Sequence, residues 1–255
     1  MNAILSVARF SFARRAAGLR LLGPGVIALL PTVMMALILL DPDAPETYDL
    51  YRNYMVPVTL YFVLPLVCMF VMLPILSELY EKGSIGYLFT RPVPRWKPLL
   101  GLFLGGYGAT MPVFLVGVLA PALIGMSFDA SVGMQEWFTL VLNVTLLLWI
   151  AGLAYGSICL FLGVYTKRPI IWAFVIMFGF GSALGSIPGE GQMWSLHYYL
   201  ISLAYRWCGI TGSKTDLFSP LETVASTGLS ITVLVGATAF LLFLTSWAAR
   251  RRDIL

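Results

Sequence analysis

Between Leu21 and Leu40 the chain runs for twenty residues without one charged side chain. A helix of that length rises about 30 Å, the depth of a bilayer's hydrocarbon core. Five more stretches of the same kind follow, over about 54–76, 99–126, 137–165, 169–187 and 223–249, each free of Asp, Glu, Lys, Arg and His. Hydrophobic residues make up 59% of the chain and charged ones 11%, against roughly 25% charged in a soluble domain. A soluble fold of 255 residues could not hide that much apolar surface. The expected fold class is all-α integral membrane, one transmembrane domain over 1–255 with six transmembrane helices.

Local signals refine the outline. Residues 2–20 mix Ile4, Ala8 and Phe12, which share one side of a helix, with Arg9, Arg14, Arg15 and Arg20. That pattern predicts an interfacial helix on an anionic leaflet. The first span is longer than a signal-peptide core and has no convincing cleavage site, so a cleaved leader is not expected. Pro31 predicts a kink in that span, and Pro57, Pro65 and Pro74 punctuate the second. Residues 188–222 hold Trp194, Tyr198, Tyr199, Tyr205 and Trp207, an aromatic density that suits interfacial or re-entrant helices between spans five and six.

Charge supplies an orientation. Thirteen of the sixteen Lys and Arg fall in the amino-terminal tail, residues 77–97, the 166–168 turn and the carboxyl tail, whereas nine of the twelve acids fall in the other loops. The positive-inside rule then puts both termini in the cytoplasm. The basic residues flank apolar runs and form no stripe interleaved with aromatics, so nucleic acid is not expected as a partner.

The spans hold no ionisable group near their middles, where ion-coupled transporters place theirs. Any work done by the chain would draw its energy from a partner at the cytoplasmic face. Asn143 and Thr145 read as hydrogen-bonding groups between helices. Gly101-x-x-x-Gly105, Gly152-x-x-x-Gly156 and Gly181-x-x-x-Gly185 match the close-packing pattern of membrane helices, with no interface assigned to any of them.

No catalytic, cofactor or metal site is expected. Gly209-Ile-Thr-Gly-Ser-Lys-Thr215 fails the phosphate-loop pattern because Ser213 separates Gly212 from Lys214. ATP and magnesium are therefore expected in a partner and not in this chain. Cys68, Cys159 and Cys208 form no metal-binding spacing. His197, the only histidine, could serve a membrane hydrolase only with Ser182, which lacks the G-x-S-x-G frame. An interfacial histidine is the better reading.

The longest polar interruption on the basic side is Ser77–Lys97. Within it Glu78-x-x-Glu81-x-Gly83-Ser84-x-x-x-Leu88-x-x-x-Pro92-x-x-Arg95 resembles the segment between the second and third spans of type-2 ABC transporter permeases. Ser84 stands where the family has threonine, Pro94 where it has serine, and Gly101-Leu102 where it has Gly-Lys. The local match covers about 25 residues; six spans, an amino-terminal interfacial helix and a long loop before the sixth span extend it in layout. The resemblance implies a plasma-membrane permease subunit, bacterial or archaeal, that pairs with a second permease subunit, identical or related. Each would dock a separate cytoplasmic ATPase through a short coupling helix. Glu78, Glu81, Arg91 and Arg95 would make polar contacts there, Tyr87, Leu88 and Phe89 apolar ones, with Gly83 and Pro92 shaping the backbone. ATP hydrolysis in the partner would drive export, and the uncharged interior favours an amphipathic or lipid-like substrate. A mechanical relay to periplasmic or cell-surface machinery, or a scaffold recruiting cytoplasmic proteins through 77–97, is the alternative.

Overall fold

The computed structural model describes residues 2–16, 19–41, 45–81, 94, 96–128, 132–166, 168–180, 192–193, 195–210 and 224–251. Among them there are helices and no strands, as expected of a chain whose backbone polar groups must be satisfied without water. Four helical stretches are long and apolar enough to cross a membrane: Thr47–Ile75, Trp96–Phe128, Met134–Tyr165 and Thr227–Ala249. Leu22–Ile38 and Pro169–Gly179 are shorter apolar helices.

The amino-terminal stretch is built as α1 (Asn2–Ala16), α2 (Leu22–Ala28) and α3 (Leu30–Ile38), and it runs alongside α7 (Trp96–Phe128) in the same direction. Ile4 and Val7 meet Gly101, Ala8 and Ser11 meet Gly105, Ala28 meets Gly117, and Met35 meets Gly125. Over Ile4 to Phe12, α1 thus follows α7 for about two turns instead of lying across the bundle. The kink expected from Pro31 is a break at Leu29, whose amide bonds both Gly25 O (3.1 Å) and Val26 O (3.2 Å). Proline offers no N–H to the preceding turn and its ring crowds the carbonyl four residues back, so α3 starts afresh with Pro31 in its first turn.

The second pass begins at Thr47, seven residues before the sequence suggests, and its helix extends to Glu81. Asp49 and Arg52 enter it as a pair, 2.6 Å apart one turn from each other, so neither charge is left single. The pass is α4 (Thr47–Leu50), a π-helical segment Tyr51–Met55, α5 (Val56–Val58), a second π-helical segment Thr59–Val63, and α6 (Leu64–Glu81). Each π segment ends two residues before a proline, Pro57 or Pro65, and contains the carbonyl, of Asn53 or Tyr61, that the ring would strike. Widening the helix absorbs the clash without breaking the pass.

This pass runs antiparallel to α7: Tyr51 OH donates to Val118 O (3.2 Å) near one end, and Met72 and Ile75 pack on Gly106 near the other. Antiparallel to α7 as well is α8 (Met134–Tyr165), where Trp137 fits over Gly125 and Phe103 lies against Gly156. Trp137 is 1% exposed and stands edge-on to Tyr48 at 5.2 Å. A side chain at Gly125 would meet that indole at 2.5 Å and Met35 Cε at 2.9 Å, which is why the position is glycine.

After α8 the described chain has α9 (Pro169–Phe174) with a third π segment Val175–Phe180, and then α10 (Leu196–Cys208), a helix in the stretch where interfacial or re-entrant helices are expected. Phe178 reaches Phe62 (6.2 Å) while His197, at the start of α10, reaches the neighbouring Tyr61 (3.8 Å). Both pieces therefore pack on the second π segment of the second pass. From there α10 runs antiparallel to α8 towards its Met134 end, where Asn143 Nδ2 donates to Trp207 O (2.7 Å). The last helix, α11 (Thr227–Arg251), begins beside α10, with Arg206 Nε on Ala225 O (2.7 Å), and ends beside Trp96.

Among the glycine pairs, only Gly101 and Gly105 take another helix's backbone: side chains there would run into the carbonyls of Ile4 and Ala8. Gly152 and Gly156 instead receive the Phe114 ring and Met72; Gly181 and Gly185 lie outside the described residues. Replacing Gly105 by Leu should push α1 off α7, because backbone cannot yield as a side chain can. Ser11 is 4% exposed in the seam and all three cysteines are buried. Maleimide labelling of Ser11→Cys should accelerate about tenfold or more when Gly105→Leu is added, the ratio that ~1.4 kcal/mol of lost packing produces. An unchanged rate would show that the close approach holds nothing.

Candidate functional site

The polar segment singled out in the sequence is framed by two helix ends. Glu78 and Glu81 lie in the last turns of α6, which is helical to Glu81 itself. Gly83, Tyr87, Leu88, Phe89, Arg91, Pro92 and Arg95 lie outside the described residues. The chain is described again at Pro94, whose carbonyl accepts from the Lys97 amide (3.0 Å), and α7 starts at Trp96. Lys97 Nζ stands 5.8 Å above the Trp96 ring, a cation–π distance.

Beneath this start α1 is clasped to α7. Ser11 Oγ donates to Leu102 O (3.4 Å), and the small residues Gly101, Gly105 and Ala8 let the two backbones touch. The first turns of α7 and the basic helix α1 therefore form one unit. Sequence reading found the glycines and the apolar side of residues 4–12, but it could not join them. Nothing in either pattern says that each is the other's partner.

A second cluster sits at the start of α10. Tyr155 OH lies 3.1 Å from His197 Nδ1, the Tyr61 ring is 3.8 Å from the imidazole, and Ser195 Oγ caps α10 by accepting from the His197 amide (3.2 Å). His197 Nε2 is buried and has no hydrogen-bond partner among the described residues. His197 packs between Tyr61 of the second pass and Tyr155 of α8, in the stretch expected to hold interfacial or re-entrant helices. Ser182, its imagined catalytic partner, lies outside the described residues, and here the bond of His197 Nδ1 goes to a tyrosine.

At the Met134 end a cleft of about 530 Å³ opens between α4, α8 and α10, with Glu136, Thr139, Asn143 and Trp207 on its walls. Cys208, also on its wall, has its thiol pushed up to about 12 by burial, so it stays protonated and unreactive. Among the described residues no three His, Cys, Asp or Glu side chains converge as metal ligands would.

A family model described as "Protein of unknown function (DUF2705)" matches residues 31–255, which take in α3 and everything after it. The chain belongs to that family. DUF2705 thus covers the polar segment, the four long helices and the His197 cluster, and leaves α1 and α2 outside. No curated protein matches the chain.

Proposed function

We propose that the chain is the membrane-spanning permease subunit of a type-2 ABC transporter, with six spans and both termini in the cytoplasm of a bacterial or archaeal cell. A second permease subunit would complete the membrane assembly. Two cytoplasmic ATPase subunits, each docked on a segment 77–97, would supply the energy for export of an amphipathic or lipid-like substrate.

The observation that carries this reading is the clasp of α1 onto α7 through Gly101 and Gly105. It lies immediately after the polar segment and turns the start of the third pass and the amino-terminal helix into one lever. Three features support the reading further. α1 and the end of α11 both lie at the Trp96 end of the bundle, together with the segment itself. Glu78 and Glu81 sit at the end of a continuous helix, so a force at Glu81 is delivered along the whole second pass. The only charges inside the four long apolar stretches lie within two turns of their ends, which leaves no ion-binding pair at depth and points to an outside source of energy.

The test uses the full chain co-expressed with a neighbouring gene product that carries a Walker A motif, reconstituted in vesicles. Glu81→Lys and Arg91→Glu should each lower the coupled ATP turnover about tenfold or more, since opposed like charges at a docking cleft cost at least ~1.4 kcal/mol, and should leave the melting temperature of the membrane subunit unchanged. Turnover indifferent to both reversals would remove coupling through this segment.

A further inference from the structure

We propose that the groove between the first turns of α7 and the last turns of α11 binds one anionic phospholipid. The groove holds about 410 Å³, within the range of roughly 300–1,000 Å³ typical of ligand pockets. Its floor is aliphatic, from Leu99 and Leu100 on α7, Leu160 on α8 and Leu242 on α11. The two hydroxyls on its wall make no demand on a ligand: Thr245 Oγ1 donates to Leu241 O (2.7 Å) and Ser246 Oγ to Leu242 O (2.9 Å), both within α11. An alkyl chain fits such a surface and a polar molecule does not.

The mouth of the groove differs from its floor. Trp96 and Trp247 flank it, 40% and 46% exposed, the side chains that favour the level of lipid headgroups. Lys97 stands beside Trp96. A ligand whose tail lies on the leucines therefore carries its head to a cation, which selects a negative headgroup. The same charge argues against a second copy of this chain in the groove. Across a two-fold axis the same face is repeated, so the contact would bring together two lysines and no acid from this face. The site requires only that the helices sit in a bilayer, and stands apart from ATPase docking.

The full chain, purified alone in mild detergent, is equilibrated with mixed micelles holding equal phosphatidylglycerol and phosphatidylcholine, and the retained lipid is extracted and quantified. Phosphatidylglycerol should be enriched about fivefold, the ratio one basic contact of ~1 kcal/mol gives. Lys97→Glu should bring the two lipids to parity and keep the total, and Leu242→Trp should lower the total by filling the floor. Equal retention of both lipids by the unaltered chain, or copies cross-linked through Ser246→Cys across the groove, would overturn the proposal. Since no ATPase is present, a failure here leaves the transport reading untouched, and the reverse holds too.

Discussion

Every backbone N–H and C=O of a chain this apolar must find its partner inside the fold, and each proline removes one donor. Much of the architecture is the response to that shortage. At Pro31 the helix stops and restarts; at Pro57 and Pro65 it widens into π segments and goes on. The different outcomes have consequences. A break leaves α2 and α3 as two short rods that lean on α7, whereas the widened helix remains a continuous rod from Thr47 to Glu81. The second of its π segments sets Tyr61 beside His197 and Phe62 beside Phe178. The stretch that proline has already distorted thus holds both Val175–Phe180 and the start of α10.

Glycine does the complementary work. One spacing pattern serves two kinds of contact: Gly101 and Gly105 admit a neighbouring backbone, while Gly152 and Gly156 admit an aromatic ring and a methionine. The first kind fixes the distance between two helices and the second fills the space between helices already placed. The former makes the Trp96 end of the bundle rigid, and the polar segment is attached there.

Much of this was legible in the sequence. The class, the long apolar helices and the kink at Pro31 follow from hydropathy and from proline chemistry. Boundaries moved where charge misled. Asp49 and Arg52 look like loop residues one at a time but neutralise each other one turn apart in a helix. The partners of His197 were not legible, because the aromatic residues of α10 fit a surface helix as well as one packed on Tyr155 and Tyr61. The partner of α1 was hidden for a related reason: a helical pattern names a face, and only the fold says what that face meets.

The parallel course of α1 to α3 along α7 also sets the order in which the molecule can be assembled. Ser11 bonds Leu102 across a separation of 91 residues. When the amino-terminal stretch leaves the ribosome, the glycine surface it needs has not been made, and the second pass must be inserted in between. Until α7 arrives, α1 has nothing to close on, and α2 and α3 can lean only on the second pass. Non-local closure of this kind delays packing. It makes synthesis of α7 the event that commits the chain to its fold, and makes fragments ending before residue 101 natural targets for membrane quality control.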